Sequence, residues 1–184
     1  MPIYVPKKII PVRPTTESPL LFLAGPIRGG GDWQSLMAER ILESAPTAHI
    51  ACPARWSRQH RLAHHLHRPF ARAENRQLIW ERHYLRQAGI EKGTAGCVIF
   101  WLGCEDPESP HPGPAPYAMD TRREIGKFTA YAEMSEVRLA VGGEPGFHGL
   151  DVILFELRAA LTANFPFFTS MRAVAQHALS VARK

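Results

Sequence analysis

Cysteine is scarce in this chain: Cys52, Cys97 and Cys104 are the only three among 184 residues. An odd number without framework spacing excludes a disulfide-stapled secreted scaffold and fits a reduced, cytoplasmic setting. Long apolar runs are missing as well. The longest, residues 97–102 (Cys-Val-Ile-Phe-Trp-Leu), has the length of a strand, far from the roughly 20 residues that cross a bilayer. No membrane partner is therefore expected. Pro11, Arg13 and Pro14 break any signal-peptide core behind Lys7-Lys8. There is no internal repeat, and neither the dinucleotide fingerprint nor a Gly-Lys-Ser/Thr P-loop ending is present.

What is present is enough apolar sequence for a core. Hydrophobic residues make up 45% and charged residues 21%, which places the chain among globular proteins and predicts one domain over 19–184 behind an extended, proline-rich leader, 1–18. The net charge of +5 is unevenly spread. Eight arginines against Glu74 and Glu81 between residues 55 and 86 give that segment +6, so the remainder sums to −1. Local basicity of this kind suits a small anion or a subunit face better than a long nucleic-acid track, although a solvated arginine-rich helix gives the same pattern. Arg55, Arg58, Arg61, Arg68 and Arg72 with Trp56 and Phe70 leave nucleic-acid binding as a minor alternative.

Periodicity predicts alternating elements. Short buried strands fit 19–24, 49–52, 96–102 and 137–141. Helices fit the segment from Trp33 behind an Asp32 N-cap, with Met37 and Ile41 on its stripe, and the segments 70–88, 121–133 and 171–182. Residues 149–168 read as either helix or strand, with a short fifth strand near 165–168 that Pro166 would confine to an edge. Strands alternating with helices imply a parallel sheet covered on both faces, a three-layer α/β sandwich.

In such a sheet, ordered 2-1-3-4-5, a ligand sits at the carboxyl ends of strands one and three. The first strand runs into Gly25-Pro26-Ile27-Arg28-Gly29-Gly30-Gly31, whose bare amides, with Arg28 and a helix end, can cradle an anion or simply make a tight turn. Glu124 opens the helix after strand three, where it points at the same cleft or closes a Thr121-x-x-Glu124 capping box. Glu81 falls on a stripe with Leu78, Leu85 and Ala88, a costly place for a carboxylate unless it is paired or used. Tyr117, at the end of the proline-rich loop 103–117, either reaches a ligand or anchors its loop. His60, His64, His65 and His67 suggest a metal site only weakly, with no Cys or carboxylate to complete a set. Two carboxylates from different helices beside a glycine loop have the makings of glycosyl transfer, in which one attacks the anomeric carbon while the leaving group is protonated.

Four segments in order, Phe22-Leu-Ala-Gly-Pro-Ile27 with Asp32-Trp33, Trp80-Glu81 with Leu85, Val98-Ile-Phe-Trp-Leu102, and Thr121-Arg-Arg-Glu-Ile-Gly126, resemble the nucleoside 2-deoxyribosyltransferase-like family across roughly residues 19–170. The resemblance implies a flavodoxin-like fold and metal-free, cofactor-free cleavage or transfer of an N-glycosidic bond in a nucleoside or nucleotide. It implies Glu124 as nucleophile and Glu81 as the acid at the leaving base. Asp120 stands closest to where the family carries a further aspartate. Gly25, Pro26, Ile27, Arg28, Gly29, Gly30 and Trp33 would wall the substrate, joined by Tyr117 and Arg122. The Gly25-Pro-Ile-Arg-Gly-Gly30 loop also resembles the loop of related nucleotide N-glycoside hydrolases that holds a 5′-phosphate, and the family implies a homo-oligomer. A non-catalytic nucleotide-binding module on the same fold is the alternative.

Overall fold

A computed structural model of the chain describes residues 3–5, 9, 12–53, 60–62, 65–67 and 76–184. The elements run β1 (Ile3–Tyr4), β2 (Leu20–Ala24), α1 (Trp33–Ser44), β3 (His49–Ala51), β4 (Leu66–His67), α2 (Arg76–Gly89), β5 (Gly96–Leu102), α3 (Met119–Met134), β6 (Leu139–Gly143), α4 (Leu150–Ala160), β7 (Phe167–Phe168) and α5 (Met171–Ala182). All strand pairings are parallel, in the order β4-β1-β3-β2-β5-β6-β7. The five strands β3-β2-β5-β6-β7 reproduce the expected 2-1-3-4-5 order. This is a flavodoxin-like three-layer α/β fold.

The strand count differs from the expected five because two-residue strands extend one edge. Ile3–Tyr4, inside the stretch read as a leader, pairs with β3 and β4. Ile3 is fully buried, and Tyr4 shares a hydrogen bond with His49 Nδ1 (3.0 Å) and stacks on Tyr84. Two residues are too few to show an alternation, so no pattern could announce them. The ambiguous stretch resolves into α4 and the edge strand β7, which starts directly after Pro166, where the missing N–H costs the ladder nothing. Of the helix expected over 70–88, residues 70–75 lie outside the described set. No helix among the described residues is long and apolar enough to cross a membrane.

The two faces of the sheet follow from the period of two along each strand. In β5, Cys97, Ile99 and Trp101 pack with Met37, Ala38 and Ile41 of α1 and with Val174, Ala175 and Ala178 of α5. Their neighbours Val98, Phe100 and Leu102 face the opposite way, onto Trp80 and Tyr84 of α2, Phe128 of α3 and Leu157 of α4. Helices α2 and α3, which carry the two candidate glutamates, therefore lie on the same side of the sheet. The core stripe of α2 is Trp80, Tyr84, Leu85 and Ala88; Leu78, expected on it, is 64% exposed.

Candidate functional site

Strand β2 leads to β3 on one side, and the chain later returns through β5 on the other. Loops leaving such neighbours diverge and open a crevice at their carboxyl ends. A cavity of about 800 Å³ fills it, reached by Ala24 and Gly25 at the end of β2, Pro53 after β3, and residues 118–121, 123 and 124 at the start of α3. Its volume falls within the roughly 300–1,000 Å³ usual for small-molecule sites.

Glu124 and Glu81 both line this cavity. α3 begins at Met119 and not at Thr121, with Ala118 as its N-cap in the left-handed conformation (φ 58°). Thr121 is therefore already inside the helix, and the capping box that would have accounted for Glu124 does not form. The Glu124 carboxyl is pushed up to about 7, first by burial, then by the negative charges of Glu81 and Asp120, against weaker opposition from Arg123 and Lys127. Glu81 accepts a hydrogen bond from Gln77 Nε2 at 2.9 Å, one turn earlier on α2. Asp120 sits at the mouth, well exposed, 3.5 Å from Arg123 in an ion pair.

Of the glycine loop, Gly25, Pro26, Ile27 and Arg28 line the cavity. Arg28 makes no ion pair among the described residues. Gly29, Gly30 and Trp33 do not line it; they build the loop. A Cβ at Gly29 would lie 2.7 Å from the backbone N of His111, and one at Gly30 2.7 Å from the Pro26 carbonyl oxygen. Trp33 is buried beneath Gly25 and donates its indole N–H to the Pro26 carbonyl at 2.6 Å.

Two further expectations need correction. Tyr117 does not turn its hydroxyl to the cavity of the glutamates; it donates to the carbonyls of Gly103 (2.8 Å) and Cys104 (3.1 Å), which makes it the anchor of its loop. Arg122 points away, donating to the His148 carbonyl and lying 4.6 Å over the Phe147 ring. Both line a separate cavity of about 520 Å³. Consecutive helix residues diverge by about 100°, so Arg122 and Arg123 cannot serve the same side, and it is Arg123 that faces the glutamates. Asp32 starts α1 as expected, but its carboxylate bonds no helix N–H; it takes the Ser35 hydroxyl and meets Arg61 (3.2 Å) and His60 (3.7 Å).

The histidine cluster and the arginine track are mostly out of view. His64, Arg55, Trp56, Arg58, Arg68, Phe70 and Arg72 lie outside the described residues. His60 shares a 2.9 Å hydrogen bond with the Ser35 hydroxyl, and Arg61 is held by Glu39 at 2.6 Å.

Sequence reasoning overlooked Gln34 and His111, both of which line the cavity. A cue for Gln34 lies in its spacing: it shares the stripe of Met37, Ala38 and Ile41, the same type of signal that singled out Glu81. His111 carries no such mark. Its place is set by the loop, where its backbone N–H donates to Glu105 (2.6 Å) and the Asp106 N–H donates to the Gly29 carbonyl (2.7 Å), clasping the proline-rich loop to the glycine loop. Comparison with known protein families and with curated proteins finds no match to this chain.

Proposed function

We propose that this protein cleaves or transfers the N-glycosidic bond of a nucleoside or nucleotide, of the deoxyribo type by its resemblance, through Glu124. The observation that carries this reading is the pair of carboxylates on two helices of one sheet face, in one cavity at the strand switch point, with Glu124 pushed up to about 7 by burial first and then by the charges beside it. In the first half-reaction a Glu124 carboxylate oxygen bonds to the sugar C1′ while the C1′–N bond breaks. The bonding pair leaves with the base, and the proton that the two glutamates share up to about 7 passes through Glu81 to the base nitrogen. Water, or a second base, then displaces Glu124 from C1′, and a proton from that incoming group returns to Glu81. Asp120 acts from the mouth through its charge.

Arg28 favours a 5′-phosphate as part of the substrate: it is a cation on the cavity wall with no carboxylate of its own among the described residues. The same reading takes the protein to be cytoplasmic, in keeping with its free thiols, and homo-oligomeric, with a second copy over the exposed Leu78 and Met119 at the cavity rim.

The test is release of free base, followed by chromatography, from a panel of ribo- and deoxynucleosides and their 5′-monophosphates. Glu124→Ala is expected to lose turnover by at least about a thousandfold while remaining folded. Retained turnover in the folded variant overturns the assignment. The step needs Glu124 ionised and the shared proton on Glu81, so kcat/KM is expected to fall about tenfold per pH unit above about 7, where the pair loses that proton. A rate that instead climbs through that pH and then levels removes the acid's part from Glu81. Acceleration by an added base with ping-pong kinetics marks transfer, and indifference marks hydrolysis.

A further inference from the structure

Gln34 is 2% exposed, yet it lines the cavity that holds both glutamates. It belongs to the first turn of α1, on the opposite side of the sheet from α2 and α3, and reaches the cavity over the end of β2. Its one hydrogen bond among the described residues is long: Nε2 donates to the Pro26 carbonyl at 3.4 Å, an oxygen already taken by the Trp33 indole at 2.6 Å. The amide oxygen accepts nothing among the described residues, and it is absent from the buried polar atoms left without a partner, so it is open to the cavity. A buried carboxamide whose acceptor opens into the cavity and whose second N–H is unspent leaves a donor–acceptor pair for a ligand to complete.

The surroundings say which ligand chemistry fits. Phe22, Ala24, Pro26 and Pro53 are all buried and put apolar walls around the inner end of the cavity. The charged Arg28, Asp120 and Arg123 are exposed. An apolar slot with one fully buried carboxamide, that of Gln34, matches a flat, uncharged heterocycle, and an amide's coplanar N–H and C=O match an edge on which a donor lies beside an acceptor. We infer that Gln34 is the specificity-determining residue for the leaving base, reading the donor–acceptor edge of a nucleobase through its carboxamide. The inference rests on the proposed glycosidic function, but it makes a claim about binding that stands or falls separately.

The experiment compares the unaltered protein with Gln34→Met, which keeps the length and the helix preference while deleting the amide; Gln34→Leu serves if the methionine variant does not fold. Each is given a deoxynucleoside of adenine or hypoxanthine and the deoxynucleoside of unsubstituted purine, which has acceptors but no neighbouring donor. Removing Gln34 is expected to lower kcat/KM for the substituted base about 10–100-fold and to change the unsubstituted one by less than about threefold. Because each variant is compared across two substrates, a general disturbance of the site cancels. Equal losses on both substrates, or no loss on either, overturn the inference. If the parent protein releases no base from any substrate, the glycosidic reading fails, and calorimetric titration with free adenine and free purine decides about Gln34. Tighter adenine binding that disappears in Gln34→Met supports it, while equal or absent binding of the two bases overturns it.

Discussion

Glu124 concentrates the physical chemistry of the site. A carboxyl lifted from 4.5 to about 7 by burial and neighbouring carboxylates holds a proton in the folded protein that the unfolded chain has already released. The folded state therefore binds the extra proton between those two values. Its contribution to stability is complete below about pH 4.5 and is lost as pH rises through about 7. The shift corresponds to a penalty of up to about 3 kcal/mol at alkaline pH. Glu124→Gln, neutral at every pH, is thus expected to melt close to the parent at pH 4 and several degrees higher at pH 8. Equal melting differences at the two pH values would remove the electrostatic account of this residue. Ordinary stability–function trade-offs have this form, with a group kept for chemistry at the fold's expense.

The proline-rich loop 103–117 works as an element, and its anchor is Tyr117. The half-buried phenol donates to two carbonyls of the loop's own start, closing it on itself, while Asp106 and His111 hold its far side against Gly29. Burial foremost, aided by the charges of Glu105 and Glu144, pushes the phenol's pKa upward and keeps it a donor. Tyr117→Phe is expected to cost about 1 kcal/mol of stability, measured by denaturant unfolding, with kcat/KM changed by less than about twofold. A large fall in kcat/KM without loss of stability would return Tyr117 to the substrate. Helix α3 shows the same dependence on its neighbours. Ala118 adopts a left-handed conformation that costs a non-glycine residue of the order of 1 kcal/mol, and this turn starts the helix early enough to carry Glu124 into the cavity.

For the molecule as a whole, the N-terminal strand lies inside the sheet, between β3 and the edge strand β4. Ile3 pairs with both β3 and β4 and has no exposed surface, so the first residues belong to the same folding unit as the cavity. Ile3→Ala removes buried methyl groups from a packed edge and is expected to destabilise by about 2–4 kcal/mol. In a chain of 184 residues that lowers Tm by on the order of 10 °C, read by calorimetry. A dispensable leader would show no change. The sheet faces explain why the two glutamates meet at all: α2 and α3 cover one face together, while α1 and α5 cover the other.

Wherever the signal was local and periodic, the sequence determined the result by itself. Strand β5 and the helix Met171–Ala182 were legible because an unbroken apolar run and the 3.6-residue stripe record which side chains must leave water, whereas the order of the central five strands came from the family resemblance. Glu81 and Glu124 were legible because carboxylates are conspicuous on a core stripe and behind a strand end. Tertiary structure alone decided the rest. Two-residue strands have no period to read, a single left-handed alanine moved a helix start and dissolved a capping box, and rotation along α3 exchanged Arg122 for Arg123. Trp33 and Gln34 adjoin in sequence, yet one supports the loop from below and the other opens into the cavity. Which way a side chain faces depends on what packs against it from distant parts of the chain, and that contact exists only once the sheet has assembled.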